Sequence, residues 1–366
     1  MKTRTMLSRA WQFEGDAGHD GGNVAALVTW FVLPLQGMLT MMTLIARKGQ
    51  STPEGLYKTL ALIGIIFFCL FGVCTASQKD TSMPENFVFI NGGEFTMGSP
   101  EGEVGRAEAR ELYLQNLGID YSETQHQVKV SDFAMSKYAV TVAEFRRFVE
   151  ATGYQTDAEQ EGFSVVYLGE NEGGFQNGVN WRYGIRGLLR PSSEANHPVV
   201  HVSWNDAVAY CAWMSKQTGK TYRLPTEAER EYACRAGSTT PFNTGENLTR
   251  DQANIDGSNT SSNNSKGGFL QNTVSVNSFV PNALGLYNMH GNVTEWCSDW
   301  FGEHYYDACK ASGLVTNPAG PSTGSDRVLR GGSWNRPAMF CRTALRNSFA
   351  PDYRNAYVGF RLVLVP

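Results

Sequence analysis

The residues best equipped for chemistry lie near the end of the chain, where Arg336, Cys341, Arg342 and Arg346 stand among Phe340, Phe349, Tyr353 and Tyr357. A thiol is a nucleophile, a redox group and a ligand for soft metals, so Cys341 is the first to weigh. A thiolate metal or redox pair needs a second thiol in a suitable spacing, and Cys211, Cys234, Cys297, Cys309 and Cys341 are irregularly spaced with no CxxC pair. Neither a zinc site nor a disulfide framework is expected. His197 and His201 could be read as metal ligands, but a hydrogen-bonded structural role is the expected one. Glu227 and Glu229 open a helix, where acids complement the dipole, and are poor candidates for paired acid/base work. The chain has no phosphate-binding glycine loop after a strand, no serine nucleophile elbow and no HExxH helix. What the terminal stretch offers is binding. Large stiff aromatics give contact area at low entropic cost, and Arg336 adds charged hydrogen bonds.

The flanking elements would hold that stretch from both ends. Arg327–Arg330 reads as a strand, Gly331-Gly332 as a break, and Val358–Leu364 as a closing strand with Phe360, Leu362 and Leu364 on one face. Between them, residues 335–357 carry no sustained apolar period. Long connections inside compact domains are usually functional, so a displayed surface is expected. Phe340, Phe349, Tyr353 and Tyr357 should then be exposed, with burial in a core as the alternative.

Upstream, residues 86–98 form two strand-like runs about Asn91-Gly92-Gly93, a hairpin signal. Residues 100–124 read as a surface loop, followed by strands at 126–130 and 133–138. Thr141 and Glu144 make a capping box for a helix burying Val142, Phe145, Phe148 and Val149. Residues 152–193 read as an insertion pinned by Phe163, Tyr167, Phe175 and Trp181, a second ligand surface being the alternative. Ser203 should cap a helix with a stripe of Trp204, Ala207, Val208, Cys211 and Met214, and Thr226 a helix ending at Gly237.

Arg330-Gly331-Gly332-Ser333-Trp334, Cys341 to Arg346, Pro351-Asp352 and Gly359-Phe360-Arg361 resemble the C-terminal signature of the formylglycine-generating enzyme (sulfatase-modifying factor) family. Asn91-Gly92-Gly93, Arg223 to Glu229 and Gly285 to Trp296 resemble its opening and internal motifs, although Arg230 stands where that family has Trp. The resemblance implies an α+β, loop-rich variant of the C-type lectin fold with a variable C-terminal binding segment at about 327–366. More narrowly, the segment is similar to proteins diversified by retroelements, in which adenine-directed mutagenesis rewrites binding positions. On that likeness the ligand-binding set is Asn335, Arg336, Pro337, Met339, Phe340, Leu345, Ser348, Phe349, Ala350, Tyr353, Ala356 and Tyr357, held by a framework of Trp334, Arg342, Arg346, Asp352, Arg354, Asn355 and Arg361.

The enzymes of this family oxidise a target cysteine with two active-site cysteines that bind copper(I). Counted back from Arg346 and Pro351, those positions carry no cysteine here. The expectation is therefore a non-enzymatic, surface-displayed ligand-binding protein diversified by a retroelement. A copper-dependent formylglycine-generating oxidase and a carbohydrate-binding lectin are the alternatives. No cofactor is required on this reading. The resemblance allows calcium at Asn254 and the Ile255 carbonyl, where the family's acid is replaced by Gly267, and at Asn292 and Glu295, where a purely structural role is equally open.

At 366 residues with 42% hydrophobic side chains the chain can bury a sizeable core, and its net charge of -4 offers no basic face for nucleic acid. Residues 1–55 read as an extension outside the mature protein. Residues 56–74 read as a lipoprotein signal peptide ending at Cys74, or as a plain membrane anchor, and 75–85 as a linker to a domain spanning 86–366. Lipidation at Cys74 would place the domain on a bacterial outer membrane, facing a protein or glycan ligand on a host or neighbouring cell.

Overall fold

A computed structural model describes residues 83–169, 172–258 and 267–366. The N-terminal extension, the signal or anchor segment with Cys74, and most of the linker lie outside these residues. The strands run in chain order β1 (Phe87–Ile90), β2 (Gly93–Met97), β3 (His126–Val130), β4 (Phe133–Ser136), β5 (Phe163–Gly169), β6 (Glu172–Asn177), β7 (Thr221–Arg223), β8 (Thr294–Trp300), β9 (Val315–Thr316), β10 (Arg327–Arg330), β11 (Asn347–Phe349), β12 (Val358–Gly359) and β13 (Val363–Val365). The helices are α1 (Arg106–Leu117), α2 (Val142–Thr152), α3 (Asp157–Glu161), α4 (Trp204–Thr218), α5 (Glu227–Arg235) and α6 (Tyr305–Ser312). The result is a mixed α/β domain whose strands form sheets ordered β1-β4-β13-β7, β11-β10-β8-β12 and β2-β3-β9, with β5 and β6 as a separate hairpin.

Helix starts follow local sequence closely. Thr141, Thr156, Ser203 and Thr226 each accept from the backbone N–H three residues on, and the acid there reaches back to the cap. Helix α2 buries Val142, Phe145, Phe148 and Val149 as its spacing predicts. On α4 the buried stripe is Asp206, Ala207, Tyr210 and Cys211, while Val208 turns to solvent. The main core joins Phe145, Phe148, Tyr210, Trp296, Phe360 and Leu362 across these elements.

Three expectations fail for reasons of tertiary packing. The two runs about Asn91-Gly92-Gly93 do not pair with each other: β1 pairs with β4 and β2 with β3. Gly92 is the corner where the chain changes sheets, since a Cβ there would lie 2.3 Å from the Val130 carbonyl oxygen. The closing strand is likewise split. Val358 and Gly359 run parallel to β8, whereas Val363–Val365 pair with β4 and β7. Phe360, Leu362 and Leu364 still share one core, as their period requires.

The third failure matters most for function. Residues 100–124 contain helix α1, which has no side-chain cap and so gave no start signal. Its Ala109 and Tyr113, together with Tyr121, pack on Met339, Phe340 and Leu345. Tyr113 meets Phe340 edge-on with ring centroids 5.2 Å apart.

Candidate functional site

The segment from Gly331 to Tyr357 hangs between β10 and β12, and both strands flank β8. Glu295 on β8 faces Arg330 in one ladder and Gly359 in the other. Its carboxylate is 1% exposed and accepts from Arg230 Nε at 2.8 Å and from Arg361 Nε and Nη2 at 2.7 Å each. Burial raises the Glu295 carboxyl, but Arg230 and Arg361 outweigh it and hold the group below the usual carboxylate range. Beneath the segment lies a second buried network. Arg330 reaches Glu231 and Glu227, Arg346 binds Glu227 in a bidentate pair, and Arg342 binds Glu123 and Glu103. These pairs make the segment's underside rigid.

The outer side forms one wall of a groove of about 320 Å³, lined by Asn335, Arg336, Tyr353, Ala356 and Tyr357. The facing wall is the β5–β6 hairpin, through Val165, Val166, Tyr167, Gly173 and Phe175. The two walls are tied at several points. Val165 bridges Asn355, and Ser164 Oγ donates to the Arg354 carbonyl at 3.3 Å. Arg354 pairs with Glu161 at 2.7 Å and donates to the Phe163 carbonyl. Trp334 is fully buried, donates from Nε1 to the Ala356 carbonyl at 3.2 Å, and meets Tyr167 edge-on at 4.9 Å. Phe349 and Tyr353 stack at 4.0 Å, and Asn355 accepts from the Tyr357 N–H while donating to the Tyr353 hydroxyl.

The expected patch is thus only partly exposed. Asn335, Arg336, Tyr353, Ala356 and Tyr357 converge on the groove, and Phe349 and Ala350 reach solvent beyond it. Pro337, Met339, Phe340, Leu345 and Ser348 are buried, chiefly because helix α1 covers the residues that would otherwise face water. Phe340 therefore belongs to a core. The hairpin wall was legible only as an insertion pinned by aromatics. The Thr156 and Glu159 capping box ahead of Phe163 was the available signal that ordered structure begins there.

Glu295 has both carboxylate oxygens engaged by guanidinium groups, so Asn292 and Glu295 do not fit a calcium ion. Arg230, in place of the family's Trp, is one of those guanidiniums. Asn292 Oδ1 instead accepts from Asn254 Nδ2 and from the Val274 N–H. Asn254 Oδ1 has no hydrogen-bond partner among the described residues, and the Ile255 carbonyl accepts from Gly257 at 3.1 Å. Among the described residues, one amide oxygen and one carbonyl fall short of the six to eight oxygens calcium takes. Among the described residues no three His, Cys, Asp or Glu side chains group as metal ligands. His201 and His197 are structural: His201 contacts Ser164 Oγ and the Gly184 carbonyl, and His197 contacts Thr273 Oγ1.

Nor do the described thiols offer a copper(I) pair to the groove, since no cysteine lines it or the hollow beside it. Cys211, Cys234, Cys297, Cys309 and Cys341 are all free and buried. Burial pushes the Cys341 thiol up to about 12, and its sulfur closes on Gly332. For Cys234 burial also raises the thiol, but adjacent His290, Arg230 and a Thr343 hydrogen bond bring it to about 6. Cys234 lines neither the groove nor the hollow beside it.

Asp299 on β8 yields a pH test. It is buried, accepts from the Glu227 N–H at 3.0 Å, and is pushed up to about 7 by burial and then by the Glu227 charge. Because the folded value exceeds the ordinary 3.8, the folded chain keeps a proton that the unfolded chain has lost across this window. Stability from this group is present at the acid end and falls as pH rises from about 4 towards 7. Asp299→Asn, which keeps the acceptor, should flatten that limb in thermal melts taken across the range. An unchanged slope would show that Asp299 ionises normally.

The model of the Sulfatase-modifying factor enzyme 1-like domain matches residues 73–365. A formylglycine-generating enzyme from Streptomyces coelicolor is 40% identical over 297 residues, covering 75% of this chain and 87% of that one. The structure of PvdO from Pseudomonas aeruginosa is similar with a TM-score of 0.56 at 31% identity, covering 76% of this chain and 94% of that one. Treponema denticola variable protein 1 aligns with a TM-score of 0.52 at 22% identity, covering 76% and 95%, a likeness of fold alone. These findings overturn the expectation of a non-enzymatic, retroelement-diversified binding protein. Formylglycine-generating enzymes at 36% to 40% identity support the enzymatic alternative, and the variable protein is the weaker match.

Proposed function

The chain belongs to the family defined by the sulfatase-modifying factor enzyme 1-like domain, and from that membership we propose that it is an enzyme of the formylglycine-generating type. Its substrate is an extended polypeptide segment laid in the groove between the β5–β6 hairpin and residues 335–357. The observation that carries this reading is the groove itself, an aromatic-walled cleft held rigid from below by buried Arg and Glu pairs, in a chain 40% identical to such an enzyme. We read the fold as a loop-rich variant of the C-type lectin fold, which suits holding a peptide against a stiff sheet. A fold alone names no ligand.

The reaction to test converts a peptide cysteine CH2–SH into an aldehyde. It consumes one water, releases hydrogen sulfide, and passes two electrons and two protons to an external oxidant, dioxygen. In the enzymes this chain resembles, a thiolate pair holds copper(I). The thiols here do not fit that group, so the residues of this chain are assigned binding, orientation and exclusion of water, and no step is routed through copper. Phe175, Tyr353 and Tyr357 supply apolar faces to the peptide, and the fixed Asn335 and Asn355 amides hold the wall beside its backbone.

Purified protein incubated with pooled cysteine-centred octapeptides should yield aldehyde products, read by hydrazide capture and mass spectrometry. Yield is expected to survive a copper(I) chelator. Peptides that bind and return unmodified under all redox conditions would overturn the enzymatic reading. Surface anchoring remains part of the proposal: mass spectrometry of the mature protein should find a diacylated Cys74, and an intact peptide from residues 1–50 would sink it.

A further inference from the structure

Arg336, which is half-buried, differs from the buried arginines of this fold. Arg230, Arg235, Arg330, Arg342, Arg346 and Arg361 each pair with a glutamate. Arg336 has no acidic partner among the described residues. Its guanidinium lies instead near the rings of Phe340 and Tyr357, at 5.7 and 5.8 Å from their centroids. It lines both the groove and the small hollow beside it, between Tyr113, Phe340 and Tyr357. A cation partly withdrawn from water without a counter-charge is costly, and aromatic faces at such distances return only part of that cost. The backbone around it is pinned: Arg336 N–H donates to Ser333, and its carbonyl accepts from Asp256. The cation is therefore pre-positioned with its charge directed at an open cleft.

Among the described residues no other charged side chain lines that groove. A single guanidinium matches a carboxylate in charge and in fork geometry, while a phosphate dianion would call for a second cation. We infer that Arg336 is a specificity residue that receives a carboxylate carried by the peptide, with the neighbouring aromatic walls taking the apolar residues beside it. The carboxylate is an Asp or Glu side chain or the peptide's own C-terminus. The inference deepens the proposed function and rests on it only in treating the bound peptide as a substrate.

The test is a binding measurement that needs no turnover. Cysteine-centred octapeptide pools are prepared with Asp or Glu at one flanking position, with Asn or Gln instead, with phosphoserine instead, and with free or amidated C-termini. On the full chain the carboxylate pools should bind at least about tenfold more tightly than their amide twins, and the phosphoserine pool should show no such gain. Preference confined to one carboxylate arm identifies its source. Arg336→Ala should abolish the difference between the carboxylate and amide pools, whatever it does to their common affinity, and Arg336→Lys should restore that difference in part. Melting curves establish that each variant is folded. Equal binding of acidic and amide pools by the parent chain overturns the inference, as does a preference that survives in Arg336→Ala. Selective binding without aldehyde formation would remove the catalytic reading and leave this one standing; aldehyde formation without acid preference would do the reverse.

Discussion

Replacing Glu295 with Ala is expected to lower the unfolding free energy by about 3–5 kcal/mol, the range found when one partner of a buried ion pair is removed. The carboxylate is 1% exposed and serves two guanidiniums, Arg230 and Arg361, so its loss leaves two buried cations facing each other. Arg230→Met is the matched control, because it keeps the Glu295 and Arg361 pair and should cost much less. Denaturant titration of both variants decides the matter, and equal losses would show that the triad does not act as a unit. The position also bears on function. Glu295 lies between the ladders to β10 and β12, the two strands from which the groove-forming segment is suspended. Peptide binding by Glu295→Ala should therefore fail even at temperatures where the remaining fold persists.

Gly332→Ala is expected to cost about 2–4 kcal/mol, combining a left-handed backbone with overpacking. Gly332 has φ +67°, and a Cβ there would lie 2.4 Å from Cys341 Sγ and 2.6 Å from the Phe340 carbonyl oxygen. A carbonyl oxygen in a pinned turn cannot swing aside as a long side chain can. The turn would have to open, displacing Phe340 from Tyr113 and moving Arg336 at the head of the groove. Gly102→Ala is the control: nothing lies within 4 Å of a Cβ there, and its effect should stay within about 0.5 kcal/mol. A Gly332→Ala protein as stable as the parent, with peptide binding intact, would show that this close approach is dispensable.

The chain's own sequence made several things legible. Capping boxes at Thr141, Ser203 and Thr226 act within one turn of helix, so residue type and spacing were enough to find these helices. The alternation of Phe360, Leu362 and Leu364 announced one shared core face for the same reason. The family motifs were legible too, because they are contiguous runs of residues. What local pattern could not supply was which surfaces become covered. Helix α1 has no cap and a weakly patterned sequence, yet it is the element that buries Phe340 and Leu345. An aromatic in an aperiodic segment reads the same whether it faces water or another chain segment more than two hundred residues earlier in sequence.

Partnership of charges was equally invisible. Glu295 as a calcium ligand and Glu295 as the centre of an arginine triad differ only in where Arg230 and Arg361 arrive, at separations of 65 and 66 residues. The absence of a cysteine pair pointed away from an enzyme, whereas similarity over most of the chain points towards one. Sequence alone determined the capped helix starts at Thr141, Ser203 and Thr226, the core-facing period and the family, since each is written in neighbouring residues. Tertiary structure alone decided which aromatics see solvent, which acids are already satisfied, and that Arg336 faces a cleft with no glutamate among the described residues that line it, because burial and Coulomb pairing depend on distances in space between residues far apart along the chain.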